Sequence, residues 1–412
     1  MKKISLFLSA LLIGLFAFSS CDDDGDDNGT PEVIYDGIYV IGDAAGTTDF
    51  ESDLRMGAGR NEAADNELRD GMYEKYIALE ANKDFSLALY TAGEVVYYGA
   101  TLLGDTLDGD NEPSIVALKG DLVIGEDAPT MMVEESGLYH ILLDLNTSGD
   151  LPAASIVVAP VEWGLRGDLN GWGFTALDAP EFNTQTMTYT WSGDVTGSGQ
   201  FKFAYGGGWK IELEPTYTVK ANTNIGNDAD TDGADFVGPK IGGKNFAITK
   251  GSYDITLVWT LKGGAVENSF EIIIDKTADL PNTDWSAVKW DAVGAGVSAE
   301  NTASVADAYW TWGQMLYADN DGLPTKDGEV YTYTWTGIIL EADGFKIRQL
   351  NETYDGVATD RGYSIVDADN SSANIVDDGG NIKNTVKGTY DMTLVIDADN
   401  DDAMTLTIVE AD

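Results

Sequence analysis

Thr188-Tyr189-Thr190-Trp191-Ser192-Gly193 runs on to Phe201-Lys202-Phe203, and Thr332-Tyr333-Thr334-Trp335-Thr336-Gly337 runs on to Phe345-Lys346-Ile347. The Phe stands ten positions after the Trp in both copies. A second pair of blocks follows. Lys250-Gly251-Ser252-Tyr253-Asp254-Ile255-Thr256-Leu257-Val258 reappears as Lys387-Gly388-Thr389-Tyr390-Asp391-Met392-Thr393-Leu394-Val395. Two blocks that agree in order and nearly in spacing are an internal repeat. A weaker third copy lies upstream, where Met72-Tyr73-Glu74-Lys75-Tyr76 precedes Asp84-Phe85-Ser86-Leu87-Ala88-Leu89, and Gly137-Leu138-Tyr139-His140-Ile141-Leu142-Leu143 completes it.

The blocks read as strands. Apolar and polar residues alternate over short stretches rich in Tyr, Phe, Thr, Val and Ile, with Gly, Asn and Asp clusters between them. Almost no segment keeps a helical period. The expected fold is therefore all-β, with three tandem β-sandwich domains over residues 35–160, 161–280 and 281–412, each of ordinary domain size. In the first, strands are expected at 37–44, 72–79, 85–90, 95–98, 137–145 and 153–159, with residues 46–70 as a polar loop. The second opens at Trp163 and closes at 269–275. A linker carrying Pro281 leads to the third, which opens at Trp290 and closes at 404–409. Alternation places Tyr189 and Trp191 on one face of a strand, with Trp191, Phe201, Phe203, Trp335 and Phe345 in the core.

The first twenty residues, with Met1-Lys2-Lys3 followed by an apolar run, have the form of a signal peptide. Cys21, the single cysteine, follows Ser19-Ser20 where a bacterial lipoprotein carries its acylated residue. Asp22-Asp23-Asp24-Gly25-Asp26-Asp27 makes residues 21–34 a solvated acidic tether. A lipid on Cys21 is the expected membrane attachment, and a single acyl chain tethers rather than inserts.

Seventy acidic residues against 24 Lys and Arg leave a formal charge of −46. Such an excess repels nucleic acid and other polyanions. With one histidine, and the one cysteine expected to carry a lipid, the chain has no Cys-His pair and no Cys/His zinc site to offer. His140 takes the place of Asp254 and Asp391 in the repeat and reads as an exposed strand residue. Carboxylates are plentiful, so residue type leaves room for a glycosidase pair, yet no pair stands in a shared motif and the chain spends its length on repeats. Asp228, Asp230 and Asp232 have the spacing of a calcium loop, to which Asp235 could add a ligand. The full pattern asks for Glu at its twelfth position, where Pro239 stands. A chance match in an acidic chain is the other reading.

Several aromatics fall in turn signals rather than strands. Trp172 sits in Asn170-Gly171-Trp172-Gly173, Trp209 follows Gly206-Gly207-Gly208, and Trp310 and Trp312 lie close together in Tyr309-Trp310-Thr311-Trp312-Gly313. Large aromatics on loops call for a cover or a partner. The first repeat has no Trp; Tyr90, Tyr97 and Tyr98 are its nearest equivalents.

Taken together, Cys21 with its acidic run, Trp163-Gly164-Leu165-Arg166-Gly167-Asp168 with Gly171-Trp172, and Gly199-Gln200-Phe201-Lys202-Phe203 followed by Trp209 resemble the SusE/SusF family of outer-membrane lipoproteins. The resemblance implies carbohydrate-binding-module-like sandwiches and a non-catalytic protein, without a cofactor beyond the calcium just considered. It implies a lipid-anchored outer-membrane location facing the cell exterior. The ligand would be a neutral polysaccharide, starch-like by analogy, held for uptake beside a SusD-like lipoprotein and a TonB-dependent transporter. It carries the glycan-binding role onto Trp209 and Lys202, with Trp172, in the second repeat. In the third it carries onto Lys346, Arg348 and Tyr354, with Trp310 and Trp312. Ala204 stands where the family has a second basic residue, and the chain lacks the family's usual immunoglobulin-like spacer. The alternative reading is a structural or adhesive lipoprotein whose aromatics serve core and interface.

Overall fold

The computed structural model describes residues 34–107, 115–149, 151–206, 208–213, 219–302, 304–306, 314–350, 360–400 and 402–411. Across these the chain is all-β; its helical segments are 3-10 turns of three or four residues, and its strand pairings are antiparallel but for one isolated bridge.

The same topology recurs three times. An opening strand pairs with the strand that carries the Phe motif: Gly37–Ile41 with Asp84–Thr91, Trp163–Gly167 with Gly199–Tyr205, and Lys289–Gly294 with Gly344–Leu350. A second sheet joins three longer strands. These are Glu67–Leu79, Gly137–Asp144 and Ser155–Pro160; then Thr186–Val195, Gly251–Thr260 and Phe270–Ala278; then Val330–Leu340, Gly388–Asp397 and Ala403–Glu410. In the third repeat both sheets feed one buried cluster: Trp290, Phe345 and Ile382 from the first meet Tyr333, Trp335 and Leu394 from the second. Two sheets closing over one core make a sandwich.

The repeated Tyr of the Gly-x-Tyr block has a structural reason. Tyr139 Oη donates to the Glu135 carbonyl at 2.7 Å and Tyr390 Oη to the Val386 carbonyl at 3.0 Å, each four residues upstream. Tyr253 Oη meets Thr249 Oγ1 at 2.9 Å over the same interval. A buried phenol is thereby satisfied while it pins the entry to the strand.

The first repeat differs from the others in what covers it. In Gly251–Thr260 buried and partly exposed residues alternate, whereas Leu138 through Asp144 are all buried. The outer face of the first repeat's long sheet lies against the second repeat. Tyr76 stacks on His140 with ring centroids 4.1 Å apart, and packs edge-on to Tyr205 and Phe270, with Trp163 stacked behind. Polar contacts border this aromatic cluster. Lys210 pairs with Glu62 at 2.9 Å, Asn222 Nδ2 donates to Asn66 Oδ1, and Lys119 Nζ donates to the Leu213 carbonyl. Buried apolar residues of the two repeats accordingly form one continuous cluster, separate from that of the third.

Three expectations are corrected here. His140 is not on an exposed face: it is 0 % exposed, with Nδ1 2.8 Å from Tyr205 Oη and Nε2 3.3 Å from Glu74 Oε2. Residues 46–70 are not simply a loop, because Gly57–Asn61 forms a strand and Glu67 already begins the next one. The segment around Pro281 is docked rather than free: Trp285 is buried in the third repeat, its Nε1 donates to Asp402 at 2.6 Å, and Asn282 binds Asp399.

Candidate functional site

In the second repeat the opening strand and the Phe-motif strand run side by side, with Leu165 opposite Phe203 and Arg166 opposite Lys202. Leu165, Phe201 and Phe203 go into the core. Alternation then sends Arg166 and Lys202 to the other face. Both lie over the Trp209 ring, with the Arg166 guanidinium carbon 4.3 Å and Lys202 Nζ 5.9 Å from its centroid. A cation over an indole face is favourable by about 0.5–2 kcal/mol. Trp209 is half-buried, and its carbonyl accepts from Thr223 N and from Asn224 Nδ2, both at 3.0 Å.

Trp172 comes to the same place from the turn after the opening strand. Its ring centroid lies 6.2 Å from that of Trp209, with 60° between the planes. The turn is held firmly. Trp172 Nε1 donates to Asp168 Oδ1 at 2.8 Å, Trp172 N donates to the Gly167 carbonyl, and Arg166 donates to the Trp172 carbonyl through Nε and Nη2. Asn170 braces the turn from within, donating to the Leu165 carbonyl and Thr175 Oγ1. Trp172 has φ 64° directly after Gly171 at φ 61°. A bulky residue in that region is disfavoured and persists only where its surroundings over-determine it. Here the enforced conformation keeps an indole 37 % exposed beside a second indole.

Next to this pair a cleft of about 290 Å³ opens, lined by Lys202, Lys240, Lys244, Asp232 and Asn245. Burial pushes the Lys202 ammonium below its ordinary pKa; Asp232 opposes this, and Lys244 pushes it further down. Lys240 is held by Asp228 at 2.6 Å, and Asp232 Oδ1 accepts from Asn245 N at 2.7 Å.

Trp172, Lys202 and Trp209 are thus brought together. Arg166 and Asp168 belong with them and were missed as site residues; the signal was an Arg inside an otherwise apolar opening strand. In the third repeat Arg348 is buried, with Nη2 2.9 Å from Asp291 Oδ2 and Nη2 also against Met315 Sδ. Lys346 lies 3.9 Å from Asp360. Trp310, Trp312 and Tyr354 lie outside the described residues, as does Cys21. Asp228 and Asp232 are occupied by Lys240 and Asn245, Asp230 is exposed, and among the described residues no group of three or more His, Cys, Asp or Glu is placed to hold a metal ion. Among the described residues no helix is long and apolar enough to cross a membrane.

The chain is similar to SusF from Bacteroides thetaiotaomicron, whose crystal structure it matches at 14% identity over 92% of this chain and 73% of that one, with a TM-score of 0.20. No protein-family model and no curated protein sequence matches it.

Proposed function

We propose that the chain is a non-catalytic carbohydrate-binding protein whose second repeat stacks a sugar ring on Trp172 and Trp209 while Lys202 addresses the ring's edge. The observation that carries this reading is the paired indoles, one held half-exposed at positive φ and the other under two cations. Pyranose C–H faces lie flat on indoles, and edge hydroxyls accept directional bonds from ammonium groups. One open site of this kind corresponds to roughly millimolar to micromolar affinity. The N-terminal sequence supports a lipid anchor at Cys21 in the outer membrane, facing outward. There the protein would hold a polysaccharide beside a SusD-like lipoprotein and a TonB-dependent transporter.

The test is affinity electrophoresis of the purified chain through gels containing single polysaccharides. At least one glycan should retard it. Trp209→Ala should weaken that retardation about tenfold, the equivalent of ~1.4 kcal/mol of lost stacking. Equal retardation of the variant would rule out the platform.

A further inference from the structure

The sign of charge at this site is opposite to that of the chain. Lysines 202, 240 and 244 and a single carboxylate, Asp232, line the cleft, three cations to one anion. The whole sequence has 24 Lys and Arg to 70 Asp and Glu. Arg166 adds a further cation on the Trp209 ring. Asp228 holds Lys240 from outside the cleft, while the exposed Lys244 extends from a bridge with Asn227 and Lys202 reaches in from the strand.

We infer that the second repeat selects a sugar carrying an anionic substituent, a carboxylate or a sulfate ester at the edge of the pyranose ring. This inference rests on the stacking platform of the proposed function and replaces the neutral polysaccharide that the family resemblance implied. A ring stacked on an indole projects its equatorial substituents outward in the ring plane. Lys202 Nζ lies over the Trp209 ring, 5.9 Å from its centroid, and also lines the cleft that holds Lys240 and Lys244, so it links the aromatic surface to that cleft. At physiological ionic strength charges are screened over about 8 Å, so an anion in the cleft meets the field of Lys202, Lys240 and Lys244 against that of Asp232 and of Asp228 on Lys240, and little of the rest of the chain's charge.

Calorimetric titration of the full chain with trigalacturonate, its methyl ester, a sulfated galactan oligosaccharide and maltotriose tests this. The ester keeps the ring and removes the charge. At least one anionic sugar should bind at least tenfold more tightly than the ester and maltotriose, with affinity falling as NaCl is raised. Lys244→Glu should reduce that affinity at least tenfold. Preference for the sulfated sugar over the uronate would identify the anion as a sulfate ester. If the ester or maltotriose binds as tightly as the anions, and Trp209→Ala removes that binding, the charge selection is refuted while the platform stands. If none of the four binds and gels of neutral polysaccharides give no retardation, both readings fall.

Discussion

Raising the pH from 7 to 9 should stabilise the first two repeats, and Lys75→Met should abolish that gain. Lys75 faces Ile141 in the strand register, as Trp191 faces Ile255 and Trp335 faces Met392. It therefore stands where the other two repeats place their tryptophan. Its side chain is buried, and Nζ donates to the Asp53 carbonyl at 2.8 Å and to the Lys262 carbonyl of the second repeat at 2.9 Å. A neutral amine has two N–H groups for these two carbonyls. Burial lowers the pKa of Lys75 from 10.5 to about 7, with Asp53 acting in the opposite direction.

The unfolded chain keeps this proton up to its ordinary lysine pKa, while the folded chain gives it up from about pH 7. Between those values the unfolded state binds more protons, so stability rises with pH. The gap corresponds to about 5 kcal/mol in all. Because the group is half-titrated near neutrality, about 2 kcal/mol of it falls between pH 7 and pH 9. For a unit of this size that is roughly 4–8 °C in Tm. Urea unfolding followed by tryptophan fluorescence at pH 6, 7, 8 and 9 in both proteins isolates the effect. Measurements should stop below pH 10, because burial raises Tyr76 and Tyr205 well above their ordinary values and their contribution is lost as the pH climbs further. Parallel pH profiles for wild type and Lys75→Met would refute the assignment of a neutral lysine at this junction.

The remaining predictions concern buried partners. His140→Ala removes a ring stacked on Tyr76 and strips Tyr205 Oη and Glu74 of a partner, so it should cost about 3 kcal/mol in urea unfolding. A loss below 1 kcal/mol would contradict the packing described. Arg348→Met leaves Asp291 buried without its countercharge and should cost about 3–5 kcal/mol. Adding Asp291→Leu should recover much of that loss, and a double-mutant cycle showing no coupling would count against the pair.

The sandwiches were legible because their strands alternate and their motif blocks recur in order. Where one face of a sheet meets water, as in Ser252-Tyr253-Asp254-Ile255, the period of two reports the fold directly. The covering of the first repeat was not read, although its signal is present. Leu138-Tyr139-His140-Ile141-Leu142-Leu143 is nearly continuous apolar sequence, as strands buried on both faces are. His140 breaks that run and, by analogy with Asp254 and Asp391, suggested solvent. Those aspartates do face outward, one accepting from Ser192 Oγ and the other from Gly337 N. The analogy failed because the second repeat packs on that face only in the first. At the site, Trp172 and Trp209 were legible as loop aromatics, and Lys202 as the polar member of an aromatic strand. Their convergence was not, since it depends on Arg166 lying opposite Lys202 in the register, and a pairing register is not visible in either strand alone.

That register also explains why one topology presents different surfaces in the second and third repeats. Gly164 faces Ala204, and at the corresponding positions Asp291 faces Arg348. In the second repeat no side chain fits at Gly164, because a Cβ there would come within 2.5 Å of the Phe174 ring. The small pair admits an aromatic cover, and the cation of that repeat sits two residues along, at Arg166, on the face of Trp209. In the third repeat Arg348, at the place of Ala204, is drawn onto Asp291 and against Met315. Its guanidinium is thereby engaged with a carboxylate, where that of Arg166 lies on an indole. A shared sandwich does not by itself make equal sites. For the binding role proposed above, the substitution that tests it is therefore on Trp209, which carries the two cations and adjoins the lysine-lined cleft through Lys202.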